Sequence, residues 1–167
     1  MKITDIKAIL DESLGTDSII KVDESSTPTT LVTLPAMLPQ LMLALYQDQR
    51  LLFDMLSCLT GIDNGPEINT MEVIYNLYSI PLERSLMVKV SLDRDSPEIQ
   101  TVSNIWRTAD WHERETYDLL GIIFVNHPDL RRILMPADWE GFPLRKDYKE
   151  PHEYRGMKTI REEGNPS

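Results

Sequence analysis

The sequence of 167 residues contains a single cysteine, Cys58, and this scarcity limits the chemistry that the chain can carry. One cysteine cannot form an intramolecular disulfide, and alone it cannot supply the ligands of a cysteine-based zinc or iron–sulfur site. Because Cys58 lies among apolar residues in LLFDMLSCLTG, we expect a buried and unreactive thiol. The lack of disulfides fits a reducing compartment.

Long apolar runs are also missing. The longest, residues 41–46 and 121–125, fall far short of the roughly 20 residues that a membrane-spanning helix needs. The first residues, MKITDIKAILDES, lack the apolar core of a signal peptide and are too acidic for a transit peptide, so we expect neither. The net charge of −10 opposes general binding to nucleic acid or to anionic lipid.

Nucleotide-binding and hydrolase motifs are absent as well. The sequence has no G-x-S-x-G, no P-loop and no G-x-G-x-x-G, which argues against a self-contained nucleotide enzyme. Histidine is scarce, with His112, His127 and His152 in the whole chain. His127 precedes Pro128 after a predicted strand, and we interpret it as a loop histidine bonded to backbone rather than a proton-transfer residue.

The spacing of the apolar residues that are present predicts an α+β fold. Helical periodicity and strand alternation occur in separate segments, bounded by Gly, Pro and polar turns. The predicted helices are 3–14 and 34–45, and the predicted strands are 19–22, 30–33, 53–59, 71–77 and 86–92. The strand near 53–59 stops at the turn GIDNGP. One face of the sheet packs on helices and the other is partly polar, giving a two-layer α/β sandwich with an α-β-β-α-β-β-β core.

The remainder of the chain predicts helices and then an extended arm. Ser96, followed by a proline, predicts the start of a helix that ends near Thr108. A D-x-x-E pair, Asp110 with Glu113, predicts the start of another helix, which Gly121 ends. We therefore divide the chain into an α/β sandwich (1–95), a helical and motif segment packed on it and on partners (96–148), and an extended C-terminal arm (149–167).

The segment WHERETYDLLG, residues 111–121, has the dense ionisable residues of an active site. On a helix, Glu113 and Glu115 point about 200° apart and cannot form a carboxylate pair. His112 and Glu115 share a face, but Thr116 stands where the metal motif H-E-x-x-H needs its second histidine.

A structural role fits this helix better than catalysis. Arg114 and Asp118 are four residues apart and can pair, while Trp111 and the leucines that follow supply apolar anchors. The pattern therefore favours a charged, packed interaction helix.

The segment RRILMPADWEGFPLRKDY, residues 131–148, mixes aromatic and basic residues. Such mixing occurs in RNA-binding surfaces, and aromatic and arginine anchors on a stiff loop also suit a protein interface. The acidic net charge favours protein as the partner.

The run ERETYDLLGIIFVNHPDLRRIL, residues 113–134, resembles the signature of the C-subunit of proton-pumping NADH:quinone oxidoreductase, respiratory complex I, called iron–sulfur protein 3 in mitochondria. WEGFPLRKDY resembles the closing motif of the same family. The residues that match these motifs, and that the resemblance assigns to interfaces, are Glu113, Arg114, Glu115, Asp118, Gly121, His127, Pro128, Arg131, Arg132, Leu134, Pro136, Trp139, Gly141, Pro143, Leu144, Arg145, Lys146, Asp147 and Tyr148.

The resemblance implies a non-catalytic structural subunit in the quinone-reducing module of the peripheral arm. It implies the D-subunit of complex I as the main partner, with other arm subunits nearby. It also implies no cofactor in this chain, while partner subunits carry FMN and iron–sulfur clusters. We expect the chain at the cytoplasmic face of the bacterial inner membrane, bound through the complex, with no nucleic acid.

Two other classes stay open. One is the equivalent subunit of a related membrane-bound hydrogenase or F420-type dehydrogenase, which its companion subunits would identify. The other is a free-standing RNA-binding module, which would bind oligonucleotides with a steep salt dependence.

Overall fold

A five-stranded sheet with helices packed on one face forms the body of the protein. The structure is a computed structural model that describes residues 3–159. The elements of this body are α1 (Ile3–Leu14), β1 (Lys21–Asp23), β2 (Thr30–Thr33), α2 (Leu38–Gln47), β3 (Met55–Asp63), β4 (Thr70–Ser79) and β5 (Arg84–Asp93). The predicted α+β class and the α-β-β-α-β-β-β order are confirmed.

The strands lie in the order β1-β2-β5-β4-β3, so β1 and β3 form the two edges. The β2–β5 pair is parallel and the other pairs are antiparallel. Alternate apolar residues of β4 and β5 are buried, as their spacing predicted: Met71, Val73, Tyr75, Leu77, Leu86, Val88, Val90 and Leu92. The residues between them are half-buried or exposed, as in a sheet with one solvated face.

The second helix begins later than its apolar stripe predicted. α2 starts at Leu38, and Leu34 is exposed in a preceding turn. Pro39 lies in the first turn of α2, where its missing N–H leaves no hydrogen bond unmade, so the helix begins immediately before it. The buried face of α2 (Leu38, Leu41, Met42 and Leu45) packs in the core with Leu10 of α1.

Strand β3 differs from its prediction in two respects. It does not stop before GIDNGP but continues to Asp63, where the Arg94 guanidinium binds the carboxylate and ties the strand end to the residue after β5. Cys58 is half-buried, not buried, because it pairs with Asn76 on the solvated face of the sheet.

The prediction of a helix from Ser96 to Thr108 is wrong. Strand β6 (Glu98–Gln100) occupies this region and pairs in parallel with β7 (Ile123–Val125), followed by turns. The backbone N–H of Ile123 donates to Pro97 O, so a tertiary strand pair replaces the helix that the local Ser-Pro-Glu signal indicated.

Helix α3 (Ala109–Leu120) carries most of the WHERETYDLLG segment. Gly121 ends it with φ of 75°, the left-handed conformation predicted for that position. The D-x-x-E start is wrong, because the residue before the helix is Thr108 and no side chain caps the helix start. α3 lies so close to β3 that a Cβ at Gly61 would be 2.6 Å from Leu120 Cδ1, so a larger residue there would force side chains of α3 to move.

The structure describes only the first part of the predicted arm, residues 149–159. A short hairpin, β8 (Glu153–Tyr154) with β9 (Met157–Lys158), occupies its first half, and Tyr154 and Arg155 bond to Asp138. Residues 160–167 of that arm lie outside the described residues. The division into three units stays a prediction. No helix in the described part of the chain is long and apolar enough to cross a membrane.

Candidate functional site

The residues that match the family motifs surround α3, and we call residues 111–148 the motif segment. The helix buries polar side chains, Glu113, Arg114, Thr116 and Asp118, whereas Glu115 is exposed. The two glutamates therefore lie on opposite sides of the helix and do not form a carboxylate pair. Since a buried charge is costly unless it is bonded, the partners of these side chains define what the segment does.

Asp118 organises the loop that follows β7. Its Oδ2 accepts three successive backbone N–H groups, from Ile133 (3.0 Å), Leu134 (2.7 Å) and Met135 (2.9 Å). Its Oδ1 accepts Arg132 Nη1 at 2.9 Å. Burial alone raises the pKa of Asp118, but the hydrogen bonds from these backbone groups and from Arg132 outweigh it and hold the pKa below its usual value. The ionised carboxylate thus fixes the RRILM loop against α3.

Phe142 closes the C-terminal end of α3 between two guanidinium groups. Arg132 and Arg145 lie over its ring, 5.2 and 4.9 Å from the centroid. Arg145 Nε also donates to Leu120 O at 2.7 Å, which satisfies a carbonyl at the end of the helix. A Cβ at Gly121 would be 2.5 Å from the Phe142 ring, so this glycine is needed for its backbone conformation and for the close contact.

A buried ion pair joins the closing motif to the sheet. Arg94 donates from Nε to Asp63 Oδ1 at 2.7 Å, and its Nη2 reaches Asp147. Asp63 also accepts the backbone N–H groups of Lys146 (2.8 Å) and Gly65 (3.0 Å). The Arg94 guanidinium first, and then these N–H groups, hold the pKa of Asp63 well below its usual range. The RKD sequence is therefore fixed to the end of β3.

Glu113 is one of the two fully buried carboxyl groups of α3, with Asp118. Its side chain is fully buried, where it accepts the Val102 N–H at 2.8 Å and the Thr101 hydroxyl. Burial raises its pKa to about 7 against these hydrogen bonds, and the charge of Asp110 adds to the rise. Glu113 thus connects α3 to the segment after β6 instead of capping its own helix.

The His127 ring is fully buried beside Glu113. Its Nε2 is 3.2 Å from Asp110 O and 3.8 Å from Glu113 Oε2, and its Nδ1 accepts the Asp129 N–H at 3.0 Å. An acceptor Nδ1 places the proton on Nε2 in the neutral ring. His127 is bonded to backbone on both sides, as its position in the sequence predicted.

Arg114 does not pair with Asp118, so that prediction is wrong. Its Nε donates to Arg131 O at 3.3 Å, its Nη1 is 3.9 Å from Asp129, and its guanidinium lies 5.1 Å from the Trp111 ring centroid. Asp118 instead accepts hydrogen bonds from residues 132–135 of the loop. Arg114 therefore fixes the beginning of the same loop that Asp118 fixes further along.

The aromatic residues of the closing motif bond to one another. Trp139 Nε1 donates to Tyr148 OH at 3.0 Å, and the Trp139 ring lies 5.0 Å from that of Tyr154. Gly141, with φ of 79°, allows the Tyr148 ring to approach its Cα closely. These contacts stabilise an irregular loop without regular secondary structure.

The surface of the motif segment carries large apolar side chains. Trp111, Leu134 and Leu144 are 63%, 60% and 59% exposed. Of the predicted apolar anchors of this helix, Leu120 is buried in the core, whereas Trp111 lies on the surface. Of the other predicted interface residues, Pro128, Arg131, Pro136, Gly141, Lys146 and Asp147 are exposed and Pro143 is half-buried. Exposed residues of this size are typical of protein contacts.

A metal or cofactor site is not visible in the described residues. Within 3–159, no group of three or more His, Cys, Asp and Glu side chains is arranged to hold a metal ion. His112 and Glu115 line one groove together with Thr116, and this groove supplies no second histidine. The expectation that this chain has no cofactor of its own stays a prediction.

Sequence reasoning missed the residues that the motif segment binds outside itself. Asp63 lies in the predicted turn GIDNGP, Arg94 lies just after the predicted strand 86–92, and Thr101 lies in a predicted helix. One signal was available in the sequence. Asp63 and Arg94 are charged residues at the ends of strands, where an unpaired charge would be costly if it were buried.

Two solved structures share the fold of this chain. A chain of the membrane-bound sulfane sulfur reductase, an archaeal respiratory membrane complex, superposes with a TM-score of 0.72 at 20% identity, over 88% of this chain and 85% of that one. A trypsin-resistant fragment of Nqo5 superposes with a TM-score of 0.53 at 30% identity, over 61% of this chain and 82% of the fragment.

Sequence comparison identifies the family. The family model of the respiratory-chain NADH dehydrogenase 30 kDa subunit matches residues 31–154. The NADH-quinone oxidoreductase C-subunit of Chlorobium phaeobacteroides is 46% identical over 72% of this chain and 73% of that protein, and that of Geotalea uraniireducens is 40% identical over 83% and 87%. This chain belongs to the family of the 30 kDa subunit of respiratory-chain NADH dehydrogenase.

The match does not extend over the whole of every relative. The C-subunit of Chloroherpeton thalassium is 50% identical over 68% of this chain, but the match covers 47% of that protein, so the chain spans about half its length. The resemblance read from ERETYDLLGIIFVNHPDLRRIL is confirmed at the level of the family.

Proposed function

We propose that this chain is a non-catalytic structural subunit of an NADH:quinone oxidoreductase. In this proposal it belongs to the quinone-reducing module of the peripheral arm and supports electron transfer from NADH to quinone coupled to proton translocation. The names of its relatives support the assignment to the oxidoreductase.

The observation that supports a structural role is where the buried charged side chains of α3 bond. The carboxylates of Glu113 and Asp118 and the guanidinium of Arg114 all bond to groups of this same chain. Catalytic acids and bases need a face that a substrate can reach, and these side chains are enclosed by their partners. In this proposal Glu113 holds the segment after β6, and Arg114 and Asp118 hold the loop at residues 131–135.

The partner that we propose is the D-subunit of the same complex, with other peripheral-arm subunits nearby. The exposed Trp111 lies on α3, and the exposed Leu134 and Leu144 lie beside its C-terminal half. These side chains supply the kind of large apolar contact that such a subunit interface uses. FMN and iron–sulfur clusters belong to partner subunits in this proposal. The chain lies at the cytoplasmic face of the bacterial inner membrane, bound through the complex.

The alternative is the equivalent subunit of a membrane-bound hydrogenase or F420-type dehydrogenase. A chain of a different respiratory membrane complex has a similar fold. Because the two chains are 20% identical, this similarity shows the fold alone and does not distinguish the two classes. Relatives at 46% and 50% identity that are named as C-subunits of NADH-quinone oxidoreductase favour the quinone enzyme.

Isolation of the native complex tests the proposal. We expect the chain to co-purify with the D-subunit and with flavin- and NADH-binding subunits, identified by mass spectrometry. The chain separated from them is expected to contain no stoichiometric iron, flavin or zinc by elemental analysis and absorbance. A nickel-containing companion would identify the hydrogenase class, and one metal equivalent in the separated chain would contradict a subunit without cofactor.

A further inference from the structure

The two edges of the five-stranded sheet are protected very differently. Edge strand β1 has three residues and carries Lys21 and Asp23, features that discourage pairing with another strand. Edge strand β3 has nine residues, and its stretch MLSCLTGI, residues 55–62, contains no charge and no proline. A β-bulge between Leu56 and Cys58 interrupts the start of this edge, and the uncharged stretch after it is a place where another strand can pair.

The backbone groups that face the free edge of β3 follow from its pairing with β4. The two strands are antiparallel, and the Asn64 N–H donates to Thr70 O at 3.1 Å. Since hydrogen-bonded pairs alternate in an antiparallel ladder, Thr60 and Ile62 bond to β4, whereas Leu59 and Gly61 point their N–H and C=O groups to the free edge. Among residues 3–159, neither N–H donates a hydrogen bond outside the strand ladder, and the Gly61 carbonyl accepts the Thr60 hydroxyl of the same strand at 3.5 Å.

Both ends of this edge are protected and its middle is not. Trp106 Nε1 donates to Phe53 O at 3.1 Å, and Thr108 Oγ1 donates to Leu56 O at 3.2 Å. At the other end Lys146 bonds to the Asp63 carboxylate. The unprotected part begins after Leu56 and stops before Asp63.

A groove runs beside this unprotected part. One wall is a face of α3 with His112, Glu115 and Leu119, and Leu144 lies at its end. Its volume of about 230 Å³ is below the roughly 300–1,000 Å³ of small-molecule sites, but it accepts the side chains of an extended peptide. The groove thus offers side-chain contacts next to free backbone groups, the combination that strand addition requires.

We propose that the free edge of β3, from Cys58 to Ile62, binds an extended segment of a partner subunit as an added β-strand. The apolar residues of this segment contact Leu119 and Leu144, and a Lys or Arg pairs with the exposed Glu115. A second copy of this chain is the poorer occupant, because each copy carries a net charge of −10 and repels the other. The identity of the partner as a subunit of the same complex rests on the proposed function.

Hydrogen exchange at single-residue resolution tests the added strand. In the free full-length chain, the outward amides of Leu59 and Gly61 are expected to exchange fast, whereas those of Thr60 and Ile62 are protected by β4 and serve as internal controls. In the purified complex, exchange of the two outward amides is expected to slow by about 100-fold or more. Equally fast exchange in both samples would overturn the proposal, as would protection that raising the concentration of the free chain alone produces.

A substitution in the groove gives an independent test. Leu144→Asp places a carboxylate beside Glu115, and we expect at least about a tenfold loss of the chain recovered in the complex. Ile20→Asp is the matched control, since Ile20 is 58% exposed against 59% for Leu144 and lies beside β1 at the opposite edge. Equal recovery of both variants would contradict the groove as the binding site. Absence of oxidoreductase subunits from the wild-type preparation would instead refute the proposed function.

Discussion

Replacing Asp118 by alanine is expected to lower the free energy of unfolding by about 3–5 kcal/mol, because it breaks a buried ion pair and leaves the Arg132 charge unpaired. The backbone N–H groups of residues 133–135 lose their acceptor in the same step. An unsatisfied buried donor is itself costly, so the loss exceeds that of an ordinary surface pair, under about 1 kcal/mol. Urea unfolding of the full chain measures the change.

Glu115→Ala is the matched control for this substitution. Glu115 is an acidic residue of the same helix but is exposed, so we expect a change within about 0.5 kcal/mol. Limited proteolysis of the Asp118→Ala chain is expected to cleave the 131–135 loop first, since that loop loses its anchor. A loss as small as that of the control would show that the carboxylate does not hold the loop.

Glu113→Gln is expected to remove a pH dependence of stability between about pH 4.5 and 7. The folded chain raises the pKa of Glu113 from 4.5 to about 7, so in this window the folded state holds a proton that the unfolded state has released. Stability therefore falls as the pH rises through the window, by about 3 kcal/mol in total. Glutamine mimics the protonated form, and the variant is expected to be the more stable protein at pH 8.

The groups around Glu113 determine how this experiment is controlled. His127, Asp110 and the hydroxyl of Tyr75 face the carboxyl group. The difference between wild type and Glu113→Gln at each pH removes the titrations that the two proteins share, and Glu115→Gln controls for the loss of one surface charge. A difference that does not change between pH 4.5 and 8 would contradict a raised pKa for Glu113.

The elements that the sequence predicted well are those whose signal is local. Residues 3–14 and 30–33 form their helix and strand at the predicted bounds, and the alternation in β4 and β5 gave the buried face correctly. Gly121 ended α3 as expected, because a left-handed residue after a helix favours glycine regardless of tertiary contacts.

The failures occurred where a distant segment decides the outcome. Ser96 and Pro97 carry a helix signal, but pairing between β6 and β7 overrides it. Arg114 and Asp118 have the spacing of a helical ion pair, yet Asp118 accepts hydrogen bonds from a row of backbone N–H groups instead. No sequence pattern predicts those contacts. The Arg94 contact with Asp63 joins positions 31 residues apart, and only the register of the sheet brings them together.

The family motifs predicted which residues form the site but not the contacts that these residues make. The motif runs cover Asp118, Arg132 and Arg145, which the structure joins around one helix end. Nothing in the sequence distinguished these internal contacts from surface contacts, because charged residues occur in both. The structure separates them, placing Glu113, Arg114 and Asp118 inward and leaving Glu115, Trp111 and Leu144 exposed.

The activity of complexes assembled with Arg114→Ala tests most directly whether this chain is an architectural subunit. Arg114 is buried and holds Arg131 O and the Trp111 ring, so its loss disturbs the surface beside α3. Arg107→Ala, which removes an exposed arginine that precedes α3 and lies outside the motif segment, is the matched control. We predict less intact complex with Arg114→Ala but near-normal NADH:quinone activity per complex. Full assembly with abolished activity per complex would contradict an architectural role.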